Sequence, residues 1–413
     1  MTPPAGRVER PESVPRRIGL AGAIAALFSA QLATALVPFG IGALAPFIRT
    51  EYDLTRGQVG LANSLIFACV AACSIPAGSV VDRVGVARSL FLSCAVVATG
   101  ALGLATFGGY AGLALALMVV GIGYSVISPA TNKGVLLAAP AQTRGSMMGV
   151  KQMGVTMGGA LAAATLPTSV ERLGIRPTLV ILAIAIIGIG LAASFAYRKV
   201  VGEVRERKSA GRGLPLRTGS VRRIVVLGTV VGTMVAAQHA VATYLTLFLV
   251  DRRSMSATAA AGFLTLLHVS GTAARLGWGW VSDLLANRIL TIAIIGSITV
   301  GSLLVLGLVG TTMPAPALLV LVVVLGVATQ GGNAVYQTAI AEEDEARAGW
   351  ASGVGMTLGF TGAIVAPPIF GGTVDATDSY TLAWTLTAGV VAIGVAVASV
   401  LSRGTRVVVT RPA

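Results

Sequence analysis

Residues 78–88 read Gly78-Ser79-Val80-Val81-Asp82-Arg83-Val84-Gly85-Val86-Ala87-Arg88, a short charged stretch between two long apolar runs. The pattern returns later in the chain as Gly279-Trp280-Val281-Ser282-Asp283, followed by Arg288. Gly78 and Gly279 are 201 residues apart, and so are Asp82 and Asp283. A constant separation of this size is what a duplicated half produces. The sequence therefore predicts two halves built on one plan.

The composition is that of a membrane protein. Hydrophobic residues make up 55% of the 413 residues, charged residues make up 11%, and the mean hydropathy is +0.84. A soluble domain carries about 25% charged residues. The net charge of +14 does not indicate nucleic-acid binding, because the basic residues lie between apolar runs and not on one face with aromatic neighbours. Cys69, Cys73 and Cys94 lie inside apolar runs without metal-ligand spacing, so we expect no metal and no cofactor.

A membrane-spanning helix needs about 20 mostly apolar residues, and the chain offers twelve such segments. They are residues 19–47, 58–77, 89–107, 109–129, 145–168 and 177–197 in the first half, and 224–250, 257–278, 289–309, 314–338, 349–370 and 380–401 in the second. The pattern predicts an all-α polytopic membrane protein with two pseudo-symmetric six-helix bundles.

The predicted bundles occupy residues 18–197 and 224–401. Residues 198–223 are basic and lack apolar periodicity, so we expect them to link the two bundles. Residues 1–17 and 402–413 are expected to be short terminal segments.

The distribution of Lys and Arg predicts the orientation. With the amino terminus inside, one side of the membrane collects 22 of these residues and the other side collects six. Positively charged loop residues are retained in the cytoplasm. We therefore expect a monomeric, multi-pass protein in the lipid bilayer of the cytoplasmic membrane, with both termini cytoplasmic.

Three glycines of the fifth span also recur in the eleventh. A shift of 204 residues relates Gly145, Gly149 and Gly158 to Gly349, Gly353 and Gly362. This second match supports the duplication, since internal repeats are common in secondary transporters.

Twelve spans in two halves, a basic central segment and the stretch 78–88 together resemble the major facilitator superfamily. The signature loop of that family reads Gly-x-x-x-Asp-Arg-x-Gly-x-x-Arg, and this chain matches it with Gly78, Asp82, Arg83, Gly85 and Arg88. The second copy keeps Gly279 and Asp283 and loses the Arg-x-Gly portion. The resemblance covers nearly the whole chain. It implies a transporter that works by alternating access.

The signature residues are expected to act in gating. A carboxylate near the amino-terminal end of a neighbouring helix is stabilised by about 0.3–1 kcal/mol. In the fold that the resemblance implies, Asp82 would meet the start of span eleven near Gly349, and Asp283 the start of span five near Gly145. These contacts would exist only while the cytoplasmic side is closed, so they bias the conformational equilibrium. A purely structural turn is the alternative.

Ionisable residues inside a membrane span are costly and usually face a cavity. The predicted spans contain Lys151, His239, His268 and Arg275, and they contain no Asp or Glu. His268 and Arg275 are seven residues apart, so they share one face of a helix. Two fixed cations indicate an anionic substrate. The Arg guanidinium can form two parallel hydrogen bonds to a carboxylate, and the Lys ammonium offers a compact positive charge. Arg275 also resembles, in position, the span-eight arginine of monocarboxylate and oxalate/formate-type carriers.

Each of these residues has an alternative role. Lys151 and Arg275 could snorkel to the headgroups, and the two histidines could be neutral packing residues. Either His239 or His268 could instead carry a coupled proton. Further polar side chains could orient the ligand, and each could equally connect helices: Gln31, Asn63, Asn132, Gln152, Gln238, Gln330, Asn333, Tyr336 and Gln337. The sequence thus predicts a secondary transporter of a small organic anion, with protons as the candidate partners in symport.

The main alternative is a proton-coupled multidrug efflux antiporter. Antiporters of this superfamily often carry an Arg in span four, at a position where this chain has Leu117. Their Gly-Pro-x-x-Gly-Gly motif survives only as residues 154–159, without the proline. Both differences disfavour drug efflux. A membrane enzyme is disfavoured as well, because no nucleophile is clustered with a base.

Overall fold

The computed structural model describes residues 17–140, 143–201, 218–344 and 348–404, which are almost entirely helical. The predicted terminal segments and most of the predicted linker lie outside these residues. The helices, in chain order, are α1 (Arg17–Glu51), α2 (Arg56–Val84), α3 (Val86–Thr106), α4 (Gly109–Ala138), α5 (Arg144–Leu173), α6 (Ile175–Val201), α7 (Thr218–Arg253), α8 (Ala257–Leu285), α9 (Arg288–Val309), α10 (Ala315–Gly331), α11 (Asn333–Glu342), α12 (Ala348–Thr377) and α13 (Tyr380–Gly404).

Eleven helical segments of the described residues are long and apolar enough to cross a membrane. α10 and α11 together form one of them, Ala315–Glu342, which is interrupted at Gly332. α5 has 30 residues but is more polar, and it is not among the eleven. That α5 makes a twelfth span therefore stays a prediction.

The signature stretch is more helical than the sequence predicts. α2 continues to Val84 and α3 begins at Val86, so Gly85 alone separates two helices where a loop was expected. Gly85 has φ = +86°, which costs a glycine little. The loop prediction was wrong because one residue of this kind is enough to turn the chain between helices. The equivalent residue 201 positions later is Ala286, and its φ of +46° is positive as well.

The helices pack as two groups with matching pairings. In the first group α5 packs on α1 and α3 packs on α6; in the second α12 packs on α7 and α9 packs on α13. The two groups meet mainly along three helix pairs, α1 with α7, α2 with α12 and α5 with α8, and α1 also contacts α8. Residues of α5 and α8 are therefore neighbours across the two halves.

Glycines that match between the halves have matching environments. A Cβ atom added at Gly158 would lie 2.6 Å from a backbone oxygen of α1, and one added at Gly362 would overlap a backbone oxygen of α7. Gly149 and Gly353 both face open space. Close approach of two helix backbones therefore requires glycine at the first pair of positions and not at the second.

Gly158→Ala is expected to lower the apparent Tm of the detergent-solubilised protein, followed by tryptophan fluorescence. The added methyl group would push α5 away from α1, at a cost of about 1–3 kcal/mol. Gly149→Ala is the matched control, since it lies in the same helix and faces open space. It is expected to leave Tm unchanged or to raise it, because alanine favours the helix. Equal losses of Tm in the two variants would contradict the close-packing role of Gly158.

Candidate functional site

Two buried cations lie where α5 of the first half meets α8 of the second. Lys151 is 3% exposed and Arg275 is 6% exposed. The ammonium of Lys151 donates to Oγ1 of Thr131 at 3.1 Å. The guanidinium of Arg275 donates to the carbonyl oxygens of Gln152 at 2.7 Å and Gln330 at 3.3 Å. Both cations are thus held in the interior and do not snorkel to the membrane surface.

The partners of these cations are all neutral. Within the described ranges, no Asp or Glu forms an ion pair with Lys151 or Arg275. Burying a charge is costly unless an opposite charge accompanies it. The bond from Arg275 to Gln152 also crosses from α8 to α5, so it joins the two halves. The arrangement offers two positive charges to an anion at this seam.

Amide side chains surround the cations. The hydroxyl of Thr131 lies 2.9 Å from Oε1 of Gln31, and the amide of Gln238 donates to Oε1 of Gln330 at 2.8 Å. The amide of Asn333 lies 3.5 Å from Oε1 of Gln238. We call the following group the polar cluster: Gln31, Thr131, Lys151, Gln152, Gln238, His268, Arg275, Gln330 and Asn333. Apart from Thr131, every residue of this cluster was a candidate from the sequence, and the candidate His239 lies outside it.

The two histidines lie against aromatic rings of the first half. The ring centroid of His239 is 4.3 Å from that of Phe67 and 6.1 Å from that of Phe39. The ring of His268 is 6.4 Å from that of Phe39. Neither ring nitrogen of His268 has a hydrogen-bond partner in the described part of the chain. Packing accounts for the contacts of His239, whereas it leaves the two nitrogens of His268 unexplained.

The two ends of the helix bundle differ in how charges are paired. We call the end where α6 ends and α7 begins the linker face, and the other end the opposite face. At the linker face Asp82 pairs with Lys133 at 2.7 Å and Asp283 pairs with Arg288 at 2.5 Å. Each pair lies within one half, and the two carboxylates are 72% and 68% exposed.

The other signature residues share this surface. Gly78 and Gly279 face open space, and Arg83 and Arg88 are exposed. Asp82 therefore pairs with a residue of its own half. The expected gating contact is a different one, between Asp82 and the start of span eleven in the other half, and it would form when this face closes. Whether these residues gate transport stays a prediction.

Charged side chains that did not stand out in the sequence join the two halves at the opposite face. Asp251, near the end of α7, pairs with Arg56 at 2.7 Å and with Arg49 at 3.2 Å. Asp375, near the end of α12, accepts hydrogen bonds from the backbone N–H groups of Arg56 at 3.1 Å and Gly57 at 2.7 Å. We call Arg49, Arg56, Asp251 and Asp375 the latch. It joins the halves, because its two arginines belong to the first half and its two carboxylates to the second.

A buried tyrosine reinforces the latch from the inside. The hydroxyl of Tyr244 in α7 lies 2.7 Å from the carbonyl oxygen of Arg56 and 2.8 Å from that of Pro367. Its ring stacks on Phe370 with centroids 4.5 Å apart. One side chain thus ties α7 to both α2 and α12.

Asp251 and Asp375 were predicted to lie in loops because the spans were delimited by their apolar residues. That prediction was wrong: α7 continues to Arg253 and α12 to Thr377, so both carboxylates lie in helices. One feature of the sequence could have pointed to the latch: only six Lys and Arg residues fall on this side of the membrane, so each of them stands out. Two of the six are the arginines of the latch.

The sequence model of the Major Facilitator Superfamily matches residues 24–367. The chain belongs to the major facilitator superfamily. It is a membrane transporter, and a carrier rather than an enzyme. The family resemblance drawn from the signature stretch is thereby confirmed.

Relatives within the superfamily are transporters by name. The chain is 26% identical over 393 residues to the hexuronate transporter of Bacillus subtilis, which covers 88% of this chain and 90% of that one. It is 28% identical over 167 residues to a protein of Cupriavidus necator named as a probable sulfoacetate transporter, which covers 38% of this chain and 37% of that one.

Solved structures agree on the fold. A bacterial homolog of the human lysosomal transporter Spinster, crystallised in an inward-facing and unoccupied conformation, matches with a TM-score of 0.76 and 15% identity. The match covers 94% of this chain and 98% of that one. The occupied form of the same homolog matches with a TM-score of 0.74. At this identity the likeness establishes the fold alone.

Asp251→Asn is expected to open the opposite face, because it removes the charge that Arg49 and Arg56 share. Losing a charged hydrogen-bonded partner costs about 1.5–3 kcal/mol, which changes the ratio of closed to open molecules about tenfold or more. Spin labels at Asp53 and Ala376, exposed on the two halves at this face, would report the opening as a longer distance in double electron–electron resonance. The native cysteines are replaced in this experiment.

Asp378→Asn is the matched control. Asp378 pairs with Arg252 at 2.6 Å on the same face but within one half, and this hydrogen bond lowers the pKa of its carboxyl. Its loss is expected to leave the distance distribution unchanged. The latch would be refuted by an equal response in both variants, or by no response to Asp251→Asn.

Proposed function

We propose that the protein is a secondary transporter that moves a small organic anion, a carboxylate, across the membrane by alternating access. The observation that carries the proposal is the pair of buried cations, Lys151 and Arg275, without a carboxylate partner in the described ranges. An anion between α5 and α8 would supply the missing charge. Arg275 gives two of its five N–H donors to carbonyl oxygens, which leaves donors for a carboxylate.

The named substrates of the relatives support an anion. Hexuronate and sulfoacetate are both organic anions that carry a carboxylate. Lipophilic cations, the usual cargo of drug exporters, would instead meet two positive charges at this seam. At 26% and 28% identity the relatives support a substrate class and no particular compound.

Alternating access would follow from an exchange of caps between α2 and α12. In the present conformation Asp375 of α12 caps the first turn of α2 through the N–H groups of Arg56 and Gly57. When the linker face closes, Asp82 near the end of α2 would cap the first turn of α12 in return. Each such cap contributes about 0.3–1 kcal/mol, and more when partly buried, which is enough to shift a balanced equilibrium. The remaining residues of this proposed gate are Gly78, Arg83, Gly85, Arg88, Gly279 and Asp283.

A proton is the proposed coupling ion. His268 belongs to the polar cluster, and His239 is buried as well; imidazole is the side chain that most readily gains and loses a proton near neutrality. The linker face is the proposed cytoplasmic face, with both termini on that side. The protein would act as a monomer of twelve spans in the cytoplasmic membrane, as two bundles at residues 18–197 and 224–401.

Lys151→Gln and Arg275→Gln are each expected to reduce the uptake of anions by at least about tenfold, because a charge-assisted contact to the carboxylate is lost. The measurement is uptake of radiolabelled D-glucuronate and of radiolabelled sulfoacetate into proteoliposomes that contain the full-length protein. Lys199→Gln, at an exposed lysine of α6, is the control and is expected to transport at the wild-type rate.

Two results would contradict the proposal. One is transport of an anion at the wild-type rate by both variants of the buried cations. The other is transport of lipophilic cations by a wild-type protein that carries neither anion.

A further inference from the structure

We infer that the transported anion carries hydroxyl groups: it is a hydroxylated carboxylate, such as a sugar acid, and not a plain carboxylate or a hydroxyl-free dianion. The inference rests on the proposed function. It concerns the polar atoms that remain when the two cations have been assigned to the carboxylate.

The polar cluster contains buried atoms that have no hydrogen-bond partner among the described residues. They are Nε2 of Gln31, Oε1 of Gln152, Nε2 of Gln330, and Nδ1 and Nε2 of His268. Buried polar groups are normally paired, since an unpaired one keeps the full penalty of losing its water. Five such atoms in one cluster therefore call for a partner that the protein does not supply.

These atoms lie beside the two cations. Gln31 and Lys151 are connected through the same threonine hydroxyl. The carbonyl oxygen of Gln330 accepts from Arg275. His268 lies two helical turns before Arg275 on the same face of α8. A small ligand whose carboxylate meets the cations is therefore within reach of the unpaired atoms.

The unpaired atoms include both hydrogen-bond donors and hydrogen-bond acceptors. The amide nitrogens of Gln31 and Gln330 are donors, and a carboxylate oxygen can satisfy them. Oε1 of Gln152 is an acceptor, and a neutral His268 ring has one acceptor nitrogen. These two need a donor, which a carboxylate cannot provide. An ammonium group would donate, but it would add positive charge beside two cations. A hydroxyl is neutral and both donates and accepts.

Charge alone would favour a dianion, because Lys151 and Arg275 carry two positive charges. Sulfoacetate is a dianion, and it has no hydroxyl group. Bound here, it would leave Oε1 of Gln152 and one nitrogen of His268 unpaired in the interior. A hydroxylated carboxylate satisfies the donors, the acceptors and the cations together. Of the substrates named for the two relatives, we therefore expect this site to favour one like hexuronate, which is hydroxylated, over one like sulfoacetate, which is not.

The test uses three probes on the full-length protein in detergent, with Kd taken from thermal shift. D-glucuronate and cyclohexanecarboxylate both carry one carboxylate on a six-membered ring and differ in their hydroxyl groups. Sulfoacetate is the dianion without hydroxyls. We expect D-glucuronate to bind at least about tenfold more tightly than either of the others, because a site built to pair hydroxyls rejects analogues without them.

Two variants test whether the amides set this preference. Gln152→Leu removes the unpaired acceptor at similar volume, and it is expected to reduce the preference for D-glucuronate over cyclohexanecarboxylate about tenfold. Gln152→Met, which also lacks the acceptor, serves in the same way if Gln152→Leu does not fold. A purely structural role would lower the stability of the variants and leave the ratio of the two affinities unchanged.

The outcomes for this inference and for the proposed function differ. Equal binding of D-glucuronate and cyclohexanecarboxylate, or tighter binding of sulfoacetate, overturns the inference and leaves anion transport standing. An unchanged preference in folded variants overturns the role of the amides. Binding of none of the three anions overturns the inference together with the proposed function.

Discussion

Lys151 and Arg275 are held inside an apolar bundle by neutral oxygens only, within the described ranges. Taking an ion out of water costs several kcal/mol, and neutral hydrogen bonds offset this only in part. The bond from Arg275 to the carbonyl oxygen of Gln152 also joins α8 to α5. An anion bound to the remaining N–H donors of Arg275 would lie beside this contact between the halves. In the proposed cycle, substrate binding and the contact between the halves thus share one guanidinium.

The twofold repeat gives α2 and α12 equivalent roles at the two ends of one seam. The two helices pack against each other across the halves, and each has a carboxylate near its end. Asp375 reaches the first turn of α2 in this conformation, with Arg49, Arg56 and Asp251 alongside it. Asp82 pairs with Lys133 of its own half at an exposed surface. The carboxylates near the ends of α2 and α12 are therefore paired differently in this conformation.

The fold could be predicted because the repeat is recorded in local spacings, such as that of Gly78 and Asp82, that survive without knowledge of the packing. Lys151 and Arg275 could be selected because a charge stands out in an apolar run. Gln31, Gln152 and Gln330 were among several polar candidates, but the sequence could not show which of them keep unpaired atoms, because that depends on side-chain packing. The latch was missed for a different reason. Its carboxylates lie where the apolar pattern stops, and their arginine partners are 195 residues or more away in the chain.

A crystal or cryo-EM structure with D-glucuronate bound would show directly whether the buried pair of cations receives a hydroxylated anion. We expect a carboxylate about 3 Å from the nitrogens of Arg275 and Lys151, and a sugar hydroxyl in hydrogen-bond contact with the side chain of Gln152. D-glucuronate bound away from both Arg275 and Lys151 would refute this assignment.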